Sequence, residues 1–387
     1  MNGQQSGRVY ARQIQSYEDP ALQEAVEEIL AACGAAAALG PGTRALVKPN
    51  LLAKHPPEHA VTTHPAVVEA VIRALQKRGV TDIVVADSPG GVYTPGAMRA
   101  VYRASGMEDV CKRTGAKPYS ECRWGVRRAA ESCRLVQEFN LLQPVLEADF
   151  IVNVPKIKTH VMTGMSCAVK NLFGTVPGLQ KAEFHMRFPE KEAFGRMLAD
   201  LCATVAPSLT VADGILAMEG DGPAGGSPRE LGLLLGGEDP YAIDLAVCRL
   251  MGLAPQKVPY LAVAMERGVC GGELDEELLW GQPDAAAPVA GYRLPESYTS
   301  IDFTTRAPRA IRWLLPGMER WVAPKPKIDR ARCIGCGKCA EICPGHTIRV
   351  QDRKARIDPA HCIRCFCCHE MCPVKAIDVK RFFAFHL

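Results

Sequence analysis

The chain has 387 residues, 48% of them hydrophobic and 23% charged, with a formal net charge of +4. That length exceeds one ordinary compact core and suits a large domain plus a small one, with the composition of a globular protein. So modest a charge, with no dense Lys/Arg block, argues against nucleic-acid binding.

The polar stretch Met1 to Tyr17 lacks an apolar run, which speaks against a secretory leader. The Ala-rich run from Ile29 to Leu39 is too short to cross a bilayer. The expectation is a cytoplasmic protein with neither a membrane nor a nucleic acid as partner. Alternating strand and helix signals over residues 1–270 predict an α/β domain with a mixed or parallel sheet. Strands are expected at Ala45 to Leu51, Asp82 to Ala86, Asp149 to Val154, Leu209 to Ala212 and Leu231 to Leu235. Helices are expected at Pro65 to Lys77, Glu190 to Val205 and Tyr241 to Met251. The segment 271–326 is rich in proline and reads as a connector crossing the surface of the large domain. A short helix is possible at Arg309 to Glu319, and Tyr292, Tyr298, Phe303, Trp313 and Trp321 need somewhere to pack.

Residues 327–387 are expected to form a small α+β ferredoxin-like domain with two clusters. Nine of the seventeen cysteines fall within 333–372, and the sequence repeats there with a period of 29. Cys333, Cys336, Cys339 and Cys343 recur as Cys362, Cys365, Cys368 and Cys372, with Pro344 and Pro373 following the fourth cysteine of each set. This is the two-cluster bacterial ferredoxin pattern, in which the fourth cysteine serves the other cluster. Cluster one is therefore expected to use Cys333, Cys336, Cys339 and Cys372, and cluster two Cys362, Cys365, Cys368 and Cys343. A pair of zinc sites is the bland alternative, but zinc usually takes two-Cys knuckles separated by longer loops. Cys367 has no counterpart, since Lys338 holds its place, and reads as a spare thiol. His346, His361 and His369 flank the cysteines without the spacing of ligands. From Lys327 onward twelve Lys/Arg face six Asp/Glu, which favours an acidic docking surface.

In the large domain the chemistry-bearing residues fall where strands end. They are Lys48-Pro49-Asn50, His64-Pro65, Pro155-Lys156-Ile157-Lys158-Thr159-His160, Lys170-Asn171-Leu172-Phe173-Gly174, His185 and Glu219-Gly220-Asp221-Gly222-Pro223. On these segments, His185 apart, over roughly residues 45–255, the sequence resembles the domain of unknown function 362 family in the form fused to a 4Fe–4S ferredoxin domain. Ser166-Cys167 stands where a small or aliphatic residue is expected before the Lys-Asn pair. The resemblance implies an iron–sulfur protein and assigns no general reaction.

Lys158, His160, Lys170, Lys156, Lys48, His64 and His185 are the candidate catalytic residues. Lysines and histidines converging at strand ends would hold a small anion and stabilise negative charge added to it. Against this stands the ordinary reading of each as a solvated loop residue, a cap or a satisfied core group. Lys158 and His160 have the better claim, because two-residue spacing on an extended segment puts them on one face. Cys167 reads as a buried thiol, and the glycines at 220, 222, 225 and 226 as a plain turn. No nicotinamide or flavin motif is present. The leading functional expectation is an iron–sulfur oxidoreductase acting on a small anionic substrate, with an external electron donor such as a ferredoxin. A non-catalytic electron carrier or maturation factor that docks a partner is the second. A metal- or cofactor-dependent enzyme with structural clusters is the third. A deep polar pocket beside a cluster favours the first, and a flat apolar face the second.

Overall fold

The computed structural model describes residues 7–297 and 324–380. The expected helix at Arg309 to Glu319 and the aromatic residues Tyr298, Phe303, Trp313 and Trp321 lie outside these residues. In chain order the first strands are β1 (Val9–Gln13), β2 (Arg44–Pro49), β3 (Asp82–Val85) and β4 (Lys117–Pro118). A separate hairpin, β5 (Trp124–Arg128) and β6 (Glu138–Leu142), precedes β7 (Phe150–Val154), β8 (Lys156–His160) and β9 (Gly164–Ser166). Next come β10 (Leu209–Glu219), β11 (Ser227–Gly237) and β12 (Leu279–Gly281). The main sheet runs β12-β1-β11-β10-β7-β2-β3-β4, with β8 and β9 branching from β10. It is a mixed sheet: β2, β3, β4 and β7 are mutually parallel, and β11 is antiparallel to both β1 and β10.

Two apolar layers cover the two faces, as strand alternation requires. Leu46 and Ile151 face one layer, which contains residues of the helices Lys191–Val205, Pro240–Met251 and Pro259–Glu266. Ala45, Val47, Val152 and Val154 face the other, with the helices Ala21–Ala32 and Pro65–Lys77. The Pro65–Lys77 helix follows its sequence signals closely. Pro65 opens it, the His64 side chain caps it, and Val67, Val68, Val71, Ile72 and Leu75 form its buried stripe.

Two elements differ from the sequence expectation. β10 and β11 are each 11 residues long. Buried polar residues, Asp213 and Glu219 among them, interrupt the apolar run that would have revealed the length of β10. The first part of the proline-rich segment joins the large domain, because β12 pairs parallel with β1. Tyr292 donates to the Met218 carbonyl at 2.8 Å, and Arg293 pairs with Glu219.

The C-terminal module is built from β13 (Lys325–Ile328), β14 (Ile348–Gln351), β15 (Lys354–Ile357) and β16 (Ile377–Lys380). Its short helices are Lys338–Glu341 and Cys367–Glu370. Each strand–helix–strand unit is the other shifted by 29 residues, and the units interlock, β13 pairing β16 and β14 pairing β15. The whole chain is thus a large α/β domain with a small α+β module against it.

The contact between the two is specific. Phe366 and Val379 pack on Val161, and Ile342 and Cys367 on Ala182. The His369 ring meets the Asp221 carbonyl at 3.0 Å, and Lys375 donates to the Gly226 carbonyl at 3.0 Å. A Cβ on Gly225 would stand 2.6 Å from the His369 ring, so the glycine loop is shaped to receive the module. That corrects its reading as a plain turn.

Candidate functional site

The cysteines of the module sort into two groups of four. Cys333, Cys336, Cys339 and Cys372 line one cavity of about 340 Å³. Cys343, Cys362, Cys365 and Cys368 line a second of about 330 Å³. None of the seventeen cysteines forms a disulfide. Backbone N–H groups already donate to the sulfurs: Ala355 to Cys333 at 3.4 Å, Thr347 to Cys343 at 3.4 Å and Ala376 to Cys372 at 3.1 Å. Four thiols around a small apolar chamber, with amides directed at the sulfurs, fit an iron–sulfur cubane held by thiolates. Cys367 lines neither cavity.

A cleft lies between the large domain and the module, with a volume of about 630 Å³ including its open mouth. It forms because β7 leaves β2 at Pro155 and continues as β8 alongside β10, which opens the sheet at the carboxyl ends of its strands. Asn50, Asp87 and Ser88 enter it from the ends of β2 and β3, and Lys158 and His160 from β8. Lys170 comes from the helical turn Ala168–Asn171, whose first amides are held by Asp244 at 2.7 and 3.0 Å. Lys181 and His185 occupy positions one turn apart on the helix Gln180–Arg187. The remaining wall belongs to the module: Ile342, Cys367, Glu370 and Met371.

The three cleft lysines are held differently. Lys181 spends its ammonium on three acceptors, the Ser88 carbonyl at 3.1 Å, the Ser88 hydroxyl at 3.0 Å and the Val176 carbonyl at 2.7 Å. Lys158 donates to Asn50 Oδ1 at 2.6 Å and the Val61 carbonyl at 2.8 Å. Asn50 is oriented in turn by Asn171 at 3.0 Å, and Asn171 by Asn153 at 2.8 Å. An amide chain thus explains why the Lys-Pro-Asn and Lys-Asn segments accompany each other. Among the described residues Lys170 makes no hydrogen bond; its ammonium lies 4.8 Å from the centre of the Phe173 ring and 5.7 Å from that of Phe194. Burial pushes Lys158 and Lys181 down to about 7, against the opposing pull of Glu370 and Asp87 respectively. Burial lowers Lys170 as well.

His160 is fully engaged. Its Nδ1 accepts from the Met162 amide at 3.1 Å, so the neutral ring carries its proton on Nε2, 3.2 Å from Glu370 Oε1. Burial holds His160 down to about 4, keeping the imidazole neutral near pH 7. Burial opposes ionisation of Glu370, but His160, Lys170 and His185 outweigh it and hold the carboxyl at about 2. His185 stacks on Phe194 with ring centres 4.4 Å apart, and burial pushes it down to about 3. Its Nδ1 is buried without a hydrogen-bond partner.

Of the seven residues expected to share a pocket, the cleft gathers Lys158, His160, Lys170 and His185. Lys48 is not among them. It lies behind the cleft in a fully buried ion pair with Asp87 at 2.7 Å and also meets the Pro49 carbonyl. Lys156 pairs with Asp213 at 2.6 Å and is closed in by Tyr17 and the Leu216 carbonyl. His64 caps its helix and stacks on Tyr17 at 3.5 Å. These three hold strand ends together and do not face the cleft. Cys167 is buried outside the cleft, its thiol pushed up by burial and by Asp244. Sequence reasoning missed Lys181, whose signal was its four-residue spacing from His185. It also missed Glu370 and the pocket position of Cys367. The second repeat departs from the first at Cys367 and His369, where Lys338 and Ala340 stand, and both lie on the docked face.

The sequence matches the domain of unknown function DUF362 over residues 45–249, more than half its length. The chain belongs to the DUF362 family. Residues 325–373 match a 4Fe–4S dicluster domain, so this DUF362 chain carries an iron–sulfur module at its C-terminal side. It is 34% identical over 300 residues to the thylakoid-associated protein sll1697 of Synechocystis sp., covering 77% of this chain and 90% of that one. Among solved structures, the lactate racemase apoprotein from Thermoanaerobacterium thermosaccharolyticum aligns over 63% of this chain and 57% of its own, with a TM-score of 0.40 and 12% identity. A likeness that slight carries nothing about chemistry. Among the described residues no helix is long and apolar enough to cross a membrane.

Proposed function

We propose that this DUF362 protein is an iron–sulfur oxidoreductase that reduces a small anionic substrate in the cleft between its α/β domain and its module. Two 4Fe–4S clusters are proposed, one on Cys333, Cys336, Cys339 and Cys372, the other on Cys362, Cys365, Cys368 and Cys343. When bound, they supply single electrons. One observation carries the reading. The segment Cys367–Met371, which forms a wall of the cleft, contains Cys368 of one cavity and ends beside Cys372 of the other. Substrate in the cleft would therefore lie against a segment that carries a ligand of one set and adjoins a ligand of the other.

The chain's own residues supply the rest. Lys170 offers positive charge with no hydrogen bond of its own among the described residues, and it draws the anion in. Lys158, with its ammonium near neutrality, can hold or give a proton beside the bound anion. Phe173, Ile342 and Met371 keep water away, which strengthens each of these interactions. A deep cleft of this kind supports an enzyme over a carrier that merely docks a partner. The exposed surface of the module, which includes Cys336, Ile334, Val374, Lys338 and Arg353, suits an acidic donor such as a ferredoxin. A cytoplasmic site is proposed with it, since seventeen unpaired thiols need reducing surroundings.

The test uses protein reduced chemically under anaerobic conditions and mixed with a panel of small unsaturated anions. Reoxidation is followed by the visible absorbance of the module. At least one anion should reoxidise the wild type, and Lys158→Ala should slow it by roughly 100- to 1,000-fold. Reoxidation by none of them, or at equal rates in Lys158→Ala and Lys170→Ala, would remove the cleft from the reaction.

A further inference from the structure

We infer that the cleft is built for a monocarboxylate with a short apolar body, its carboxylate held by Lys170 and Lys158 beside the open nitrogen of His185. This rests on the reading of the cleft as a substrate site and narrows it to a chemical class.

Counting donors makes the first argument. An ammonium has three N–H groups. Lys181 has used all three and Lys158 two, whereas Lys170 has used none among the described residues. The cleft therefore offers one N–H from Lys158, those of Lys170, and the buried unpartnered Nδ1 of His185. A carboxylate presents two oxygens and about four acceptor sites, which that set can satisfy. The more numerous acceptor sites of a phosphate would be left in part unmet in a dry site.

Charge makes the second. The carboxylates facing the cleft are Asp87, neutralised by Lys48, and Glu370, whose Oε1 lies 3.2 Å from His160 Nε2 but has no hydrogen-bond partner among the described residues. Three lysines face them, two of which carry only part of their charge near pH 7. The sum is close to a single positive charge. A monoanion balances it, and a dianion would leave an uncompensated buried negative charge.

The third is the lining. Leu52, Phe173, Ala182, Ile342 and Met371 supply apolar wall around this one polar corner. Ala182, Ile342 and Met371 pack together from the two sides of the interface. A body of small aromatic or short alkenyl size fits such a space, and a polyhydroxylated one would strand its hydroxyls.

Calorimetric titration of the anaerobic full-length protein with benzoate, crotonate and inorganic phosphate tests this without any turnover. Benzoate or crotonate should bind and phosphate should not. Lys170→Met should raise the carboxylate Kd by about tenfold or more, and Lys170→Arg should keep most of the affinity. His185→Phe retains the stacked ring, loses the nitrogen and should weaken binding several-fold. Iron content and far-UV circular dichroism establish that each variant is folded. Binding of phosphate in preference to both carboxylates would overturn the monocarboxylate class and leave a small-anion site standing. Carboxylate binding unchanged in both Lys170→Met and His185→Phe would overturn the assignment of the polar corner. No binding of any of the three anions to a folded, iron-loaded wild type would overturn the inference and the substrate-site reading together.

Discussion

The buried lysines divide into two kinds, and replacing each by methionine should separate them by the size of the stability change. Lys48 pairs with Asp87 at 2.7 Å, and neither side chain is more than 2% exposed. Lys48→Met leaves that carboxylate buried without its cation, a loss of about 3–5 kcal/mol. Among the described residues Lys158 faces no carboxylate at hydrogen-bonding distance, and burial has pushed it from 10.5 to about 7. At about 1.4 kcal/mol per unit, keeping it buried costs the folded state on the order of 4 kcal/mol at pH 7.5. Lys158→Met removes that cost and strands two acceptors, Asn50 Oδ1 and the Val61 carbonyl, at about 1–2 kcal/mol each. Its net effect should therefore lie near zero, within about 2 kcal/mol of wild type, while Lys48→Met falls well below it. The pH dependence has a definite sign. Between about 7 and 10.5 the folded state binds fewer protons at Lys158 than the unfolded chain does, so this residue makes stability rise with pH across that window. Lys158→Met should flatten that rise. Thermal melts by far-UV circular dichroism, run anaerobically at pH 7.5 and again at 8.5 with iron content measured alongside, supply the ranking. A Lys48→Met variant as stable as wild type, or a Lys158→Met variant that falls as far as Lys48→Met, would refute the division.

Two further outcomes follow from the site. Wild-type protein should carry about eight irons per chain; Cys367→Ser should leave that number unchanged, and Cys372→Ser should perturb the cluster of the first repeat. Loss of about four irons on changing Cys367 would show that the ligand sets are wrongly drawn. Benzoate affinity should fall as pH rises through about 7, where Lys158 and Lys181 lose their protons, by at most about tenfold per unit for each proton. His160 at about 4, His185 at about 3 and Glu370 at about 2 do not titrate in that range. Affinity independent of pH from 6 to about 8.5 would mean that neither lysine touches the ligand field.

How much of this the sequence discloses depends on how local the signal is. The cluster motif is local: four cysteines and a proline fall within a few residues, so the ligand groups can be read off directly. Apolar strands such as Phe150–Val154 and the Pro65–Lys77 helix are local too. The division among the lysines is not. Lys48, Lys156 and Lys158 all stand at strand ends in similar apolar company. What distinguishes them is a carboxylate 39 residues from Lys48 and another 57 residues from Lys156, with none so placed for Lys158. No window of sequence contains both members of either pair, so Lys48 and Lys156 looked like site residues. Glu370 escaped notice for the same reason, since it belongs to the module and meets His160 only once the domains are together.

The two repeats of the module are built on one plan and differ where the plan meets something outside itself. At the helix of the first repeat Lys338 and Glu341 are exposed, as in a module free on that side. At the equivalent helix Cys367 is buried, and Glu370 turns to His160. His369 fills the gap above Gly225, where the first repeat has Ala340. A charged lysine in place of Cys367 would put a fourth cation into a cleft already short of counter-charge, and an alanine in place of His369 would leave the glycine loop without its contact. The asymmetry is therefore what fits the helix of the second repeat to the cleft, beside the contact that Ile342 of the first repeat makes there. A mobile carrier would have no need of it. A module fixed as one wall of a substrate pocket would.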